Sequence, residues 1–255
     1  MGLQLYQTII LFMKKILLAT VAFVCAATFS FAQEQEAAAP STKVLPMFGG
    51  KQKTEVEQKK DEKFLTSCDK NFTDRREASS FFMERGWEYL NEGQTDTAMY
   101  RFNLAWLLDP GNKDTYWAFG LVSAAKGNNQ EAVGLYEKAL EIDSKNSLLL
   151  SDISTAYLDL YKKDNKKKNL KKASGYLASA TALDSSNSYA LYNMSLVKFY
   201  EKKYAEAWDY LHKSRNINMT QIDYGFVMEL TAKMPDPKGF FKQSDATATT
   251  ETSSK

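Results

Sequence analysis

Apolar and small residues recur at helical spacing along residues 98–110. Ala98, Phe102 and Ala105 fall on one face, and Asp109-Pro110 ends the run. The same set returns 34 residues later as Ala132, Tyr136, Ala139 and Asp143. It returns after a further 41 residues as Ala173, Leu177, Ala180 and Asp184, and after another 34 as Ala207, Leu211, Ser214 and Asn218. Each copy is preceded by a second helical stretch. Phe82, Tyr116, Leu150 and Leu191 stand four positions before a small residue at Gly86, Gly120, Ser154 and Ser195. A fixed period of this length predicts stacked helix-turn-helix units.

The residue types fit that geometry. Helices packed at about 8–10 Å need side chains without bulk where they approach most closely. Gly or Ser on the first helix and two Ala on one face of the second supply this clearance, and the large residues fill the gaps. One unit cannot bury its own apolar face, so stacking is obligatory. Arg85, Lys198 and Ser123 depart from the pattern; Arg85 and Lys198 lie in the first and last copies, where exposure is cheapest. No strand-like alternation runs far enough to suggest a sheet, and the predicted class is all-α.

The series of aromatic, small residue, Ala, aromatic, Ala and Pro over about residues 79–221 resembles the tetratricopeptide repeat (TPR). The resemblance implies a right-handed α-solenoid of four units, at 79–112, 113–146, 147–187 and 188–221, closed by a capping helix at 222–234. In this family the first helix of each pair lines the concave face. That places Met83, Trp87 and Leu90, then Asp114, Trp117 and Leu121, in a groove. Leu148, Ser151, Thr155 and Leu158 follow, then Tyr189, Tyr192, Leu196 and Phe199. The Lys, Arg and Asn that some members use to clamp a terminal carboxylate are absent. The resemblance therefore implies a protein or peptide held by side-chain burial, with Trp117 and Tyr192 as anchors. The alternative is that flanking segments, around Phe64 or Gly239-Phe240-Phe241, fill the groove.

The flanks read differently. Lys14-Lys15, the apolar run Ile16 to Phe29, and Ser30-Phe31-Ala32 form a signal peptide over residues 1–32, with Met13 as an alternative start. Export to the periplasm or medium follows; an uncleaved anchor would instead leave the chain on the membrane. Residues 33–53 read as a flexible linker, 54–78 as a helical extension opening into a capping box at Asp74 and Glu77, and 235–255 as a disordered tail.

Charge narrows the function further. The chain has 33 Lys plus Arg against 31 Asp plus Glu, so no global field favours nucleic acid. The local exception is Lys162, Lys163, Lys166, Lys167, Lys168, Lys171 and Lys172, interrupted by one Asp, which fills the internal turn of the third copy. This run predicts a positive protrusion, either merely solvated or drawn to an anionic membrane surface. His212 is expected on solvated surface, and Cys68 as a half-buried anchor beside Phe64 and Phe72. No phosphate-binding loop, nucleophile elbow or metal-ligand spacing occurs, so no cofactor, metal or small-molecule substrate is expected. The expected function is a non-catalytic exported scaffold for a protein or peptide partner. The rival is a membrane-docked structural subunit of an envelope assembly.

Overall fold

The first helix of each pair starts at a capping residue. The computed structural model describes residues 41–241, so the signal peptide expected at 1–32 and the end of the tail lie outside the described residues. In chain order the helices are α1 (Glu55–Asn71), α2 (Arg75–Asn91), α3 (Thr95–Leu108), α4 (Lys113–Ala125) and α5 (Asn129–Ile142). Then come α6 (Ser147–Asp164), α7 (Lys167–Leu183), α8 (Ser188–Tyr200), α9 (Tyr204–Ile217) and α10 (Tyr224–Lys233). Asp74, Asn112, Asn146 and Asn187 each accept a backbone N–H at the start of α2, α4, α6 and α8, the first helix of each pair. Asp74 caps α2, but Glu77 returns its bond to the N–H of Thr73 rather than to Asp74. The Asp or Asn closing each copy has its own task. Asp109, Asp184 and Asn218 accept the N–H two residues on and turn the chain into the next element.

The helices pair as α2/α3, α4/α5, α6/α7 and α8/α9, and each pair stacks on the next. Contact is closest where the sequence is smallest. A Cβ added at Gly86 would lie 2.2 Å from the Phe102 ring, and one at Gly120 would lie 2.4 Å from the Tyr136 ring. Ala98, Ala132, Ala173 and Ala207 have no exposed surface at all. Phe102, Tyr136, Leu177 and Leu211 fill the centre of each pair, buried to 1% exposure or less. The departures find partners: Ser123 donates to Glu131, Arg85 pairs with Glu88, and Lys198 with Glu201 and Glu206.

Four expectations need correction. The lysine run is not a projecting loop. Helices α6 and α7 are lengthened to 18 and 17 residues, leaving only Asn165 and Lys166 between them. The helices extend because Asn165 takes the left-handed conformation at the turn (φ 51°), and Asp164 accepts from the N–H of Lys166 and the amide of Asn169. All seven lysines are exposed on the adjoining ends of these two helices.

The linker is not free over its last part. Two 3-10 turns, Thr42–Val44 and Pro46–Gly50, strap the chain onto α3. The buried Asn103 holds them, donating to the carbonyls of Lys43 and Leu45 and accepting from the N–H of Phe48. These bonds hold Met47 and Phe48 at φ 52° and 54°, a region that non-glycine residues rarely enter.

The tail is ordered as far as Phe241, and His212 is buried rather than solvated. Trp208 on α9 donates to the Met234 carbonyl, and Phe241 stacks on both Trp208 and His212 with ring centroids 6.0 Å away. The Nε2 of His212 lies 2.7 Å from Asp236 Oδ1. Burial alone would raise the Asp236 carboxyl. The N–H groups of Phe241 and Lys238, together with His212, outweigh that and hold it below its usual value. Cys68 is buried beside Phe64, Leu65 and Phe72.

Candidate partner-binding face

Helices α2, α4, α6 and α8 run side by side, because each follows its neighbour after one helix-turn-helix return. Their common surface carries the positions assigned to the groove. It divides into three stretches.

At the N-terminal end, Met83 forms a buried floor, and Trp87 rests edge-on against Phe102 at 5.1 Å. Trp87 also meets Trp117 of α4 at 6.3 Å, so the two indoles make a continuous half-buried strip with Leu121. Leu90 is half-buried and packs into the same cluster as Met83. A cavity of about 540 Å³ opens beside Trp87 at the end of this strip, with Phe72, Phe81, Met83 and Trp87 as its apolar lining and Glu77, Glu84 and Asp114 around them.

The middle stretch is polar, as Ser151 and Thr155 among the groove positions imply, but it also holds a carboxylate that those positions do not include. Trp117 donates its indole N–H to Asp152 Oδ2 at 2.8 Å. Burial raises the Asp152 carboxyl to about 6, although the Trp117 bond pulls the other way. On α6 and α8 the hydroxyls of Thr155 and Tyr189 lie 2.7 Å apart, and Asn193 donates to Thr155. Leu158 is 1% exposed and belongs to the core, not the groove. Ser151 is buried too and accepts from Asn187, whereas Leu148 is exposed.

The C-terminal stretch is closed. Phe226 of α10 packs against Tyr192 at 5.9 Å and Phe199 at 5.4 Å, and Leu196 joins the same cluster. Tyr192 is 9% exposed, and burial pushes its phenol well above the usual range. Tyr192 is therefore a packing residue and not an exposed anchor. The covering element is α10; Gly239-Phe240-Phe241 lies against α9, and Phe64 packs on Phe82.

Asp152 was the residue missed. It lies one position beyond those the repeat assigns to the concave face, so its register hid it. Two facts on chemistry complete the picture. Among the described residues no group of His, Cys, Asp or Glu could hold a metal ion, and no helix is long and apolar enough to cross a membrane.

No family model matches the chain. It is 29% identical over 161 residues to the Type IV pilus assembly protein PilF of Pseudomonas aeruginosa, covering 62% of each protein. The solved structure of P. aeruginosa PilF superposes with a TM-score of 0.53 at 27% identity, over 62% of this chain and 68% of that one. TTC0263, a thermophilic TPR protein of Thermus thermophilus, gives a TM-score of 0.56 at 16% identity over 61% and 82%. The MamA protein of Desulfovibrio magneticus RS-1 gives 0.51 at 15% identity over 63% and 87%. The chain thus spans about three fifths of the length of the curated relative it matches.

Proposed function

We propose that this chain, which has the tetratricopeptide-repeat fold, is a non-catalytic scaffold holding a protein or peptide partner on its first-helix face. The observation that carries the reading is the Trp87–Trp117 strip beside an open cavity, two indoles left half-uncovered where α10 closes the other end of the same face. Large aromatics at a concave site are enriched among binding hot spots, and truncating a central one costs about 2 kcal/mol or more of affinity. The groove shortens to Trp87, Trp117, Leu121 and Tyr189, with Met83 as floor. The relative's name, a pilus assembly protein, suits an envelope assembly as the setting, and the signal segment at 1–32 suits export to it.

Site-specific photo-crosslinking in cells tests this directly. A photo-reactive residue at Leu121 should give a discrete adduct, whereas one at the exposed Ile217 of α9 should not. Equal adducts from both positions, or none from Leu121, would reject the face as the binding surface.

A second reading has one observation in its favour. The seven exposed lysines on the ends of α6 and α7 form a basic ridge suited to docking a structural subunit on an anionic membrane, at about 1 kcal/mol per Lys near the surface.

A further inference from the structure

The cavity at the N-terminal end of the first-helix face has an uneven charge. Glu77, Glu84 and Asp114 line it, and among the described residues no Lys or Arg does. Nearby cations already have carboxylate partners: Arg75 with Asp69, Arg85 with Glu88, and Lys113 with Asp143. Glu77 accepts the N–H of Thr73, while the side chains of Glu84 and Asp114 make no ion pair among the described residues. Between these carboxylates stand aromatic rings. Phe81 is 39% exposed, and Trp87 is half-buried. The Arg85 guanidinium lies 5.4 Å from the Phe81 centroid, so a ring at this site already accepts a cation. Asp152 adds a further carboxylate along the same face, one oxygen held by Trp117. The densest run of positive charge lies elsewhere, on the ends of α6 and α7.

Burial under a neutral segment would strip water from these carboxylates without replacing it, and an acidic segment would be repelled. A basic segment satisfies both the charge and the rings. We propose that this end of the face binds a basic peptide segment, taking a Lys or Arg side chain between Glu84 and Asp114 and over Phe81 and Trp87. The proposal rests on the reading of this face as the partner-binding surface and adds the charge of what it binds.

Selection of a random peptide library on the mature chain tests it. The expected winners carry Lys or Arg beside an apolar residue and bind less tightly as salt rises. Their affinity should fall about tenfold in Glu84→Gln/Asp114→Asn, two changes that remove no structural hydrogen bond. Thermal melting of that variant should match the parent. Basic winners indifferent to the double variant would overturn the proposal. Neutral or acidic winners whose binding is lost in Phe81→Ser would also overturn it, while leaving the face as a binding surface. Winners indifferent to both Phe81→Ser and Trp117→Ala would overturn the charge proposal and the underlying reading together.

Discussion

The first two repeats and the last two solve the same packing problem with different chemistry. In repeats one and two a Gly on the first helix lets an aromatic ring of the second lie flat against its backbone: Gly86 under Phe102, Gly120 under Tyr136. In repeats three and four the small residue is Ser154 or Ser195, and the opposing residue shrinks to Leu177 or Leu211. The added hydroxyls are not left bare. Ser154 donates within its own helix to Ser151, and Ser195 reaches across to the Ala207 carbonyl. The internal turns divide in the same way. Gly93 and Gly127 supply the left-handed residue in the first two repeats, at φ 76° and 78°. Asn165 and Lys202 are held there in the last two, at φ 51° and 62°. The junctions differ as well, with Trp117 bonding a half-buried carboxylate between repeats two and three, and neutral Thr155, Tyr189 and Asn193 meeting between three and four. Size and charge are therefore balanced as sums over a contact rather than at single positions.

The largest effect should come from breaking one half of a matched pair. Gly120→Ala places a methyl 2.4 Å from a fully packed ring and should cost about 2–3 kcal/mol in denaturant unfolding. Adding Tyr136→Leu should return part of that loss, as the third repeat's Ser–Leu pairing requires; a double variant no better than the sum of its singles would dismiss the matching.

The charged junction gives a smaller, pH-dependent effect. The folded Asp152 carboxyl titrates near 6, above its unfolded value, so it favours folding when protonated and that contribution is lost as pH rises through about 6. Asp152→Asn, which keeps an acceptor for Trp117, should raise stability by about 2 kcal/mol at pH 7, a gain that shrinks towards pH 4. A difference between variant and parent that is flat across this range would contradict the assignment. Smallest is the turn: Lys202→Gly relieves a left-handed non-glycine residue and should add about 1 kcal/mol, where Gly127→Lys should remove a similar amount. Melting curves of the two variants should move in opposite directions.

The repeats were legible because their packing is local and periodic. Ala, Gly and ring positions at fixed spacing determine which helix touches which, and the all-α class follows. The flanking helices at 54–78 and 222–234 were legible too, but the strap and the ordered part of the tail were not, for the opposite reason. Asn103 and the strap it binds are separated by some 55–60 residues, and His212 and Asp236 by 24, so neither pairing leaves a periodic trace. Low hydrophobicity at 33–53 and 235–255 reads as disorder even where a few specific bonds order the backbone. The groove was legible as a set of positions but not as an open surface. Tyr192 and Phe199 occupy open-face registers, and only the return of α10 through Phe226 covers them. Asp152 escaped notice because the register of a first helix does not say which way a neighbouring indole N–H points.

The strap has a mechanical consequence. The strap joins the solenoid through three hydrogen bonds converging on the single amide of Asn103, set in the second helix of the first repeat, with Met47 packed on the core beside them. Tension applied from the N-terminal side of the strap reaches this amide and Met47 before it reaches α1. The strap would come away first, at a force set by that amide and the packing of Met47, and the repeat stack behind it would carry load only after the slack of residues 42–53 had been drawn out.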